Sequence, residues 1–363
     1  KLYNVDAWRS AISNASEVEF IFPGNYNMDN GTHLSGSGVY YKTGAGQCWL
    51  YNSTVNATGQ FLIQAGELFN NYNACDWSGC TVDMDISAGA YLNLYADAIF
   101  CDVLTGMGTV RNTYGNAAGY SGSSAYTERL TIGTGNGSGA FGGTIADTGI
   151  AAAGNGNGLL ELVKTGSGTQ TLAGASAYTG TTTINAGGLI VNNTSGSGTG
   201  TNAVTVNSGG TLGGTGTVSG VVAVAGGGTL KPGSIQSPGT LTLGSTLTFA
   251  AGSACSMRIP DWVEGLHDKI TVGGAVTLGN ATLSFDSTGL PDAPLGTIVW
   301  LIVKTSDGPV SGGFNGLHEG APLVLGNRAW EIAYSADYDT GAQAGGNDVA
   351  VVRIPFPTTY VFE

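Results

Sequence analysis

Residues 160–191 read LELVKTGSGTQTLAGASAYTGTTTINAGGLIV, and this stretch decides the fold. It holds short β-prone runs at 160–164, 169–172, 181–185 and 189–191, with Gly, Ser and Asn at the corners between them. Strands this short are not stable as an isolated hairpin. Each needs a like unit stacked above and below it, which is the logic of a solenoid.

Working outward, residues 36–69 carry the same pattern. Lys42-Thr43-Gly44-Ala45-Gly46 matches Lys164-Thr165-Gly166-Ser167-Gly168, and Leu50 matches Leu172. Thr58-Gly59 matches Thr179-Gly180, and Ala65-Gly66-Glu67-Leu68 matches Ala186-Gly187-Gly188-Leu189. Internal self-similarity of this kind is the signature of a repeat architecture. The pattern of a Lys-Thr-Gly-x-Gly turn, a Thr-x-x-Leu strand, a Tyr-Thr-Gly corner, a Thr-rich strand and Ala-Gly-x-Leu resembles the passenger-associated strand repeat of bacterial autotransporter-type surface proteins. The resemblance implies an all-β, right-handed parallel β-helix on an extracellular protein of the bacterial cell surface. It implies no activity.

The composition agrees with stacked strands. Of 363 residues 62 are Gly, far above the usual ~7%, yet no collagen period is present. Apolar residues make up 42%, so this is no disordered glycine-rich tail. Only 10% of residues are charged and the formal net charge is −13. That charge gives no footprint for nucleic acid and disfavours an anionic membrane surface. No run of apolar residues is long enough to span a bilayer, so no membrane insertion is expected. The first residue is Lys1 rather than Met, which suggests a processed mature chain.

Residues 1–35 read as an N-terminal cap, with Val5, Trp8 and Ile12 in a short helical turn and a half-buried strand at 18–22. Asn25-x-Asn27-x-Asp29 has the spacing of a calcium loop but lacks its Gly and Glu, so no cofactor is expected beyond that faint calcium signal. Residues 36–112 form a first β-helical segment and 113–255 a second. Within the latter, Thr alternates with Val and Leu, as in Thr240-Leu241-Thr242-Leu243, so the apolar residue points in and Thr points out. Residues 256–363 shift to longer strands and Trp, and read as a C-terminal β-rich cap and tail. Asn-x-Ser/Thr sites, among them Asn14 and Asn193, mark exposed corners.

The cysteines offer two readings. Cys75 and Cys80, with Gly79 between them, suit a looped disulfide, and Cys48 with Cys101 suits a bridge across coils. Cys255 is left over, either a buried thiol or an intermolecular one. Tyr114, Tyr120 and Tyr126 recur every sixth residue, as corner packing or as a contact for a glycan or a second subunit. Asp83 and Asp85 share one strand face and read as solvated rather than metal-binding.

Catalysis is not expected. Residues 165–255 contain no Asp, Glu or His, so the side chains of this regular segment cannot do general acid–base work. The three His, at 33, 267 and 318, fall in no hydrolase or metal motif. A lyase or hydrolase acting on polysaccharide is therefore the weakest reading. The favoured one is a non-catalytic extracellular structural protein, a self-assembling subunit of a surface filament, matrix or surface layer. Its principal partner is a second copy, reached by the apolar tail Ile354, Phe356, Tyr360, Val361 and Phe362 through strand addition or as an arm. The alternative is an adhesin for a polysaccharide or a host surface.

Overall fold

The computed structural model describes residues 2–3, 11–28, 31–70, 75–95, 98–113, 127–147, 158–234 and 237–356. Val5, Trp8, Asp29, Tyr114, Tyr120, Tyr126, Tyr360, Val361 and Phe362 lie outside the described residues. The chain forms two compact units, Lys1–Val204 and Thr205–Glu363. Among the described residues there is no helix, only short strands joined by turns.

In the first unit each coil lays one strand on each of three faces. His33–Gly36, Val39–Thr43 and Gln47–Leu50 make one coil, and Thr54–Ala57, Gln60–Ile63 and Glu67–Asn70 the next. Corresponding strands pair in parallel. Val39 sits opposite Glu17 and Gln60, and Asp83 opposite Gln60 and Val103. The step is roughly twenty residues per coil, as expected for a solenoid. The architecture is a parallel β-helix, as the repeat implied. The expected helical turn near Ile12 is a strand instead. Ala11–Ser13 pairs in parallel with His33–Gly36, because a neighbouring coil offers its backbone a ladder that an isolated turn lacks.

Alternation follows from the pleat. Thr169–Leu172 buries Gln170 and Leu172 and leaves Thr169 and Thr171 half-buried. Identical positions in successive coils stack into internal ladders. Phe20, Tyr40 and Phe61 follow one another at 6.0 and 5.7 Å between ring centres, nearly parallel. All three are essentially unexposed.

The corners are the harder problem, since a turn exposes carbonyls to a dry interior. The lysine of the repeat solves it. Lys164 occupies an inward position, between Ile132 and Ile184 in the ladder, and is buried. Its ammonium donates to the carbonyls of Thr165, Gly166 (3.1 Å) and, one coil on, Ala186 (3.3 Å). Lys42 does the same with Thr43 (3.1 Å), Gly44 (2.9 Å) and Ala65 (2.9 Å). Burial pushes both ammonium groups down from the ordinary lysine value, against the pull of Cys48 and Glu67 on Lys42 and of Asp102 on Lys164. The two glycines of the turn have separate reasons. Gly166 has φ +66°, and a Cβ on Gly168 would stand 1.8 Å from the Gly137 carbonyl oxygen.

Other polar side chains satisfy backbone groups elsewhere. Gln170, buried, donates to the Leu104 carbonyl (2.9 Å) and accepts from its amide (3.2 Å). It pairs there as a strand would. Tyr178 is buried with its hydroxyl 2.5 Å from Thr182 Oγ1. Asp147 holds the next residue by accepting from the Thr179 amide (2.7 Å) and hydroxyl (3.0 Å). Asn14 and Asn193 are buried too, not exposed as the glycosylation-type motif suggested. Asn14 donates to Val39 O (3.0 Å), and Asn193 to Ser195 O (2.9 Å) and Gly196 O (3.0 Å).

The second unit keeps the three faces. Gly210–Gly214, Thr229–Pro232, Ala254–Arg258 and Thr282–Asp286 follow in parallel on one of them. Another runs Thr217–Val218, Thr240–Leu243, Lys269–Val272, Ile298–Lys304 and then turns antiparallel through Asp348–Arg353, Arg328–Ala336 and Pro322–Leu325. This antiparallel end is the expected C-terminal β-cap. Trp300, Val303, Ala333, Ala336, Ala350 and Val352 form its core, with Tyr338 edge-on to Trp300 at 5.2 Å. A third lysine corner lies here. Lys304 donates to the carbonyls of Ser306 (2.9 Å), Asp307 (3.0 Å) and Gly308 (2.6 Å).

Replacing Lys164 by Met keeps the length and removes the donors, leaving three carbonyls without their partner. Lys164→Met is expected to lower stability by about 1–3 kcal/mol. The check is a urea unfolding curve with an unchanged slope and a lower midpoint; an unchanged midpoint would remove the lysine from its assigned role.

Candidate functional site

The coil stack of the second unit ends on one face with Thr282–Asp286. This strand pairs with Ala254–Arg258 on one side and, among the described residues, with no strand on the other. The Thr282 amide donates to Ser253 O (2.8 Å) and Asp286 O accepts from the Ile259 amide (2.7 Å). Main-chain groups of alternate residues point to opposite sides of a strand. The amides and carbonyls of Leu283 and Phe285 therefore point to the open side. Their side chains face the coil interior but are only half-buried, whereas Cys255 and Met257 one coil earlier are essentially unexposed. The edge thus offers both unpaired backbone and an uncovered apolar ladder, the combination that templates strand addition.

The C-terminal chain leaves beside this edge. Ser287, directly after the strand, accepts from the Gly326 amide through its hydroxyl (3.3 Å). Arg328 pairs with Asp292 at 2.6 Å. The Ile354 amide donates to Ala329 O (3.1 Å), and Arg353 Nη1 donates to Ala329 O and Ile354 O. Ile354 is half-buried and Phe356 is 54% exposed. The structure therefore brings Ile354 and Phe356 to the same end of the second unit as the open edge. Val324, on the outermost strand Pro322–Leu325, is 64% exposed and adds apolar surface there.

Charge is arranged around the edge by Asp268, which is almost fully buried. Its carboxylate accepts from the Arg258 amide (2.8 Å) and the Gly239 amide (3.0 Å). Burial pushes its pKa up to about 6, against the pull of those two amides and of Arg258 and Lys231. Arg258 is opposite Asp286 in the ladder, with their charged groups 3.8 Å apart.

All five cysteines are buried, and none is joined in the two bridges expected. Cys48 is on Gln47–Leu50 and Cys101 on Ile99–Cys101, strands of different faces. Cys75 donates its thiol to Leu50 O at 3.4 Å, while Cys80 closes its turn through its amide to Trp77 O (2.8 Å). Cys255 is unexposed, and burial pushes its thiol up to about 12. It presents no surface to a second chain, which corrects the intermolecular reading. Asp85 accepts from Thr105 Oγ1 at 2.7 Å on the outer wall, and Asp83 beside it is exposed. Among the described residues no group of three or more His, Cys, Asp or Glu side chains converges. His267 is buried with Nδ1 3.1 Å from Val263 O, and its burial pushes the imidazole down. His33 and His318 are exposed.

In comparison with known families, residues 162–191 match the model of the passenger-associated-transport-repeat. The matched residues contain the corner of Lys164, Gln170 and Tyr178 described above. The match carries a coarse location, secreted or at the cell surface, and marks the chain as similar to surface-associated passenger domains. No curated protein matches the chain.

The sign of the Asp268 effect is fixed by its direction. Its folded pKa lies above the ordinary aspartate value, so the folded chain holds the proton more tightly than the unfolded one. The stability it contributes is complete below about pH 4 and is lost as pH rises through about 6. Urea midpoints measured against Asp268→Asn, which cannot ionise, should shift in favour of the variant between about pH 4 and about pH 7. A pH-independent difference would contradict the assignment.

Proposed function

We propose that this chain is a non-catalytic extracellular structural subunit that assembles with copies of itself into a surface filament, matrix or layer. In this reading the tail of one copy, from Ile354 onward, pairs with the Thr282–Asp286 edge of another. The supporting observation is the open edge itself, where Leu283 and Phe285 present free backbone groups and half-buried side chains. A parallel coil that ends without a partner is a sticky end, and proteins that stay monomeric blunt such ends with charge, Pro or a covering loop. Here the edge strand carries one charge, Asp286, at its last position. Because tail and edge are different surfaces, their contact is heterologous and propagates instead of closing on itself.

The outer wall supports the same reading from the other side. It is rich in Thr, Ser, Asn and Gly, and two of the acids of the first unit are spent on backbone amides. Asp147 and Asp102 both accept backbone amides, Asp102 from Gly135 (2.7 Å) and Gly137 (2.8 Å). Such a surface suits construction better than proton transfer.

Removal of residues 355–363 should convert a concentration-dependent oligomer into a monomer in sedimentation velocity, with the circular dichroism spectrum unchanged. Leu283→Pro should do the same, since the amide it removes points to the open side and serves no internal bond. Oligomers that persist in both variants, or a full chain that is monomeric at every concentration, would refute the assembly.

A further inference from the structure

On the first unit, the outer face of the sheet that includes Gln47–Leu50, Glu67–Asn70, Tyr91–Asn93 and Thr109–Asn112 departs from the inert wall. Register sets Gln47 opposite Glu67 and Glu67 opposite Tyr91; Asn93 faces Arg111 one row along. Glu67 points outward yet is only 3% exposed. Its Oε1 accepts from Asn93 Nδ2 (2.7 Å) and from Arg111 Nε (2.9 Å) and Nη2 (2.9 Å). Its Oε2 accepts from Gln47 Nε2 (2.7 Å), and Gln47 Oε1 in turn accepts from Trp49 Nε1 (2.8 Å). The Arg111 guanidinium lies over the Tyr91 ring, 4.1 Å from its centre. Beside the network Phe69 stacks on Trp49 at 5.0 Å and packs against Tyr95, tilted, at 4.6 Å.

This network is a support. The carboxylate is saturated by donors and its charge is cancelled by Arg111, so it holds arginine and tyrosine in fixed positions. In front of it is a cleft of about 510 Å³ whose lining includes Asn25, Gln64, Tyr91 and Arg111. Asn25 spends Oδ1 on the Gln47 amide (3.1 Å). Asn25 Nδ2, the Gln64 side-chain amide, the Tyr91 hydroxyl and Arg111 Nη1 make no hydrogen bond among the described residues. Gln64 also lines a neighbouring hollow with Glu17, Glu19 and Tyr41, so the two spaces adjoin.

We propose that this cleft binds a neutral, linear oligosaccharide. The chemistry selects that class. Amide, hydroxyl and guanidinium groups match a polyhydroxylated ligand that both donates and accepts, and the Tyr91 ring in the lining offers apolar area to a sugar ring. The carboxylates of Glu17 and Glu19 accept from hydroxyls but repel an anion, which excludes acidic sugars and nucleic acid. The contacts come from corners and strands of different coils, Asn25 and Gln64 at corners and Tyr91 and Arg111 on strands, so the groups recur along the stack as the residues of a linear glycan do. The site is independent of the self-assembly reading and uses none of its residues.

The test is isothermal titration of the full chain with cellotetraose, maltotetraose and mannotetraose, with tetragalacturonate as the acidic comparator. At least one neutral probe should bind and the acidic one should not. Tyr91→Ala, and separately the double variant Asn25→Ala with Gln64→Ala, should each weaken binding by roughly tenfold or more. Asn25 and Gln64 are exposed and outside the Glu67 network, apart from the one bond to the Gln47 amide, so their loss leaves the coil folded. Three outcomes would overturn the proposal: no binding of any neutral probe at millimolar concentration, equal binding by the variants, or binding of the acidic probe as tight as that of the neutral ones.

Discussion

A buried ammonium group that donates to three carbonyls of a corner is the interaction on which the coils depend. A strand ladder satisfies its own backbone, but a sharp turn facing a dry interior does not. Lys42, Lys164 and Lys304 answer this with one long side chain each. In the first unit the third carbonyl belongs to the following coil, so the same group that finishes one turn fixes the next above it. The cost is a desolvated charge without a carboxylate partner, visible in the lowered pKa of Lys42 and Lys164. Three charge-assisted hydrogen bonds offset that cost. Asn14, Asn193 and Asp147 carry out the same task where the corner has another shape, and Gln170 does so for the backbone of a strand.

The fold was legible because its signal is local and repeated. Lys-Thr-Gly-x-Gly and the Ala-Gly-x-Leu that follows it recur in two copies, and Thr alternates with Leu or Val at the period of a strand. The reason for the lysine was not legible, since its partners are carbonyls and carbonyls leave no trace in a sequence. Lys304-Thr305-Ser306-Asp307-Gly308 escaped notice because Ser306 and Asp307 replace the expected glycine and small residue, although the lysine works in the same way. The cysteines suggested bridges by spacing alone, while in space the coil interior takes each of them as a small apolar side chain. The helical turn near Ile12 failed for a related reason. A spacing compatible with one turn of helix was overruled by a ready parallel partner at Leu34.

The cleft around Glu67 was missed altogether, because the side chains it depends on, Gln47, Glu67, Tyr91 and Arg111, are twenty or more residues apart in sequence. Gln47, Glu67, Tyr91 and Arg111 are one coil apart, and only the coil step places them side by side. Once a repeat is recognised, folding the sequence at roughly twenty residues per line would bring such columns into view. The open edge at Thr282–Asp286 has the opposite character. Its strand reads as any other, and its significance comes from the absence, among the described residues, of a following strand on that face, where the chain departs into an antiparallel sheet.

The lysine corners have a further effect for a protein that works outside the cell. Proteases of the trypsin type need an extended segment with an accessible Lys or Arg at the cleaved bond. Lys and Arg together number 12 in the whole chain, and Lys42, Lys164 and Lys304 keep no more than 6% of their surface in solvent. Their ammonium groups are occupied by carbonyls of the very turn that would have to be unwound for cutting. The device that closes each corner therefore also withdraws digestion sites from a chain that has few, and ties its durability to the intactness of the coil.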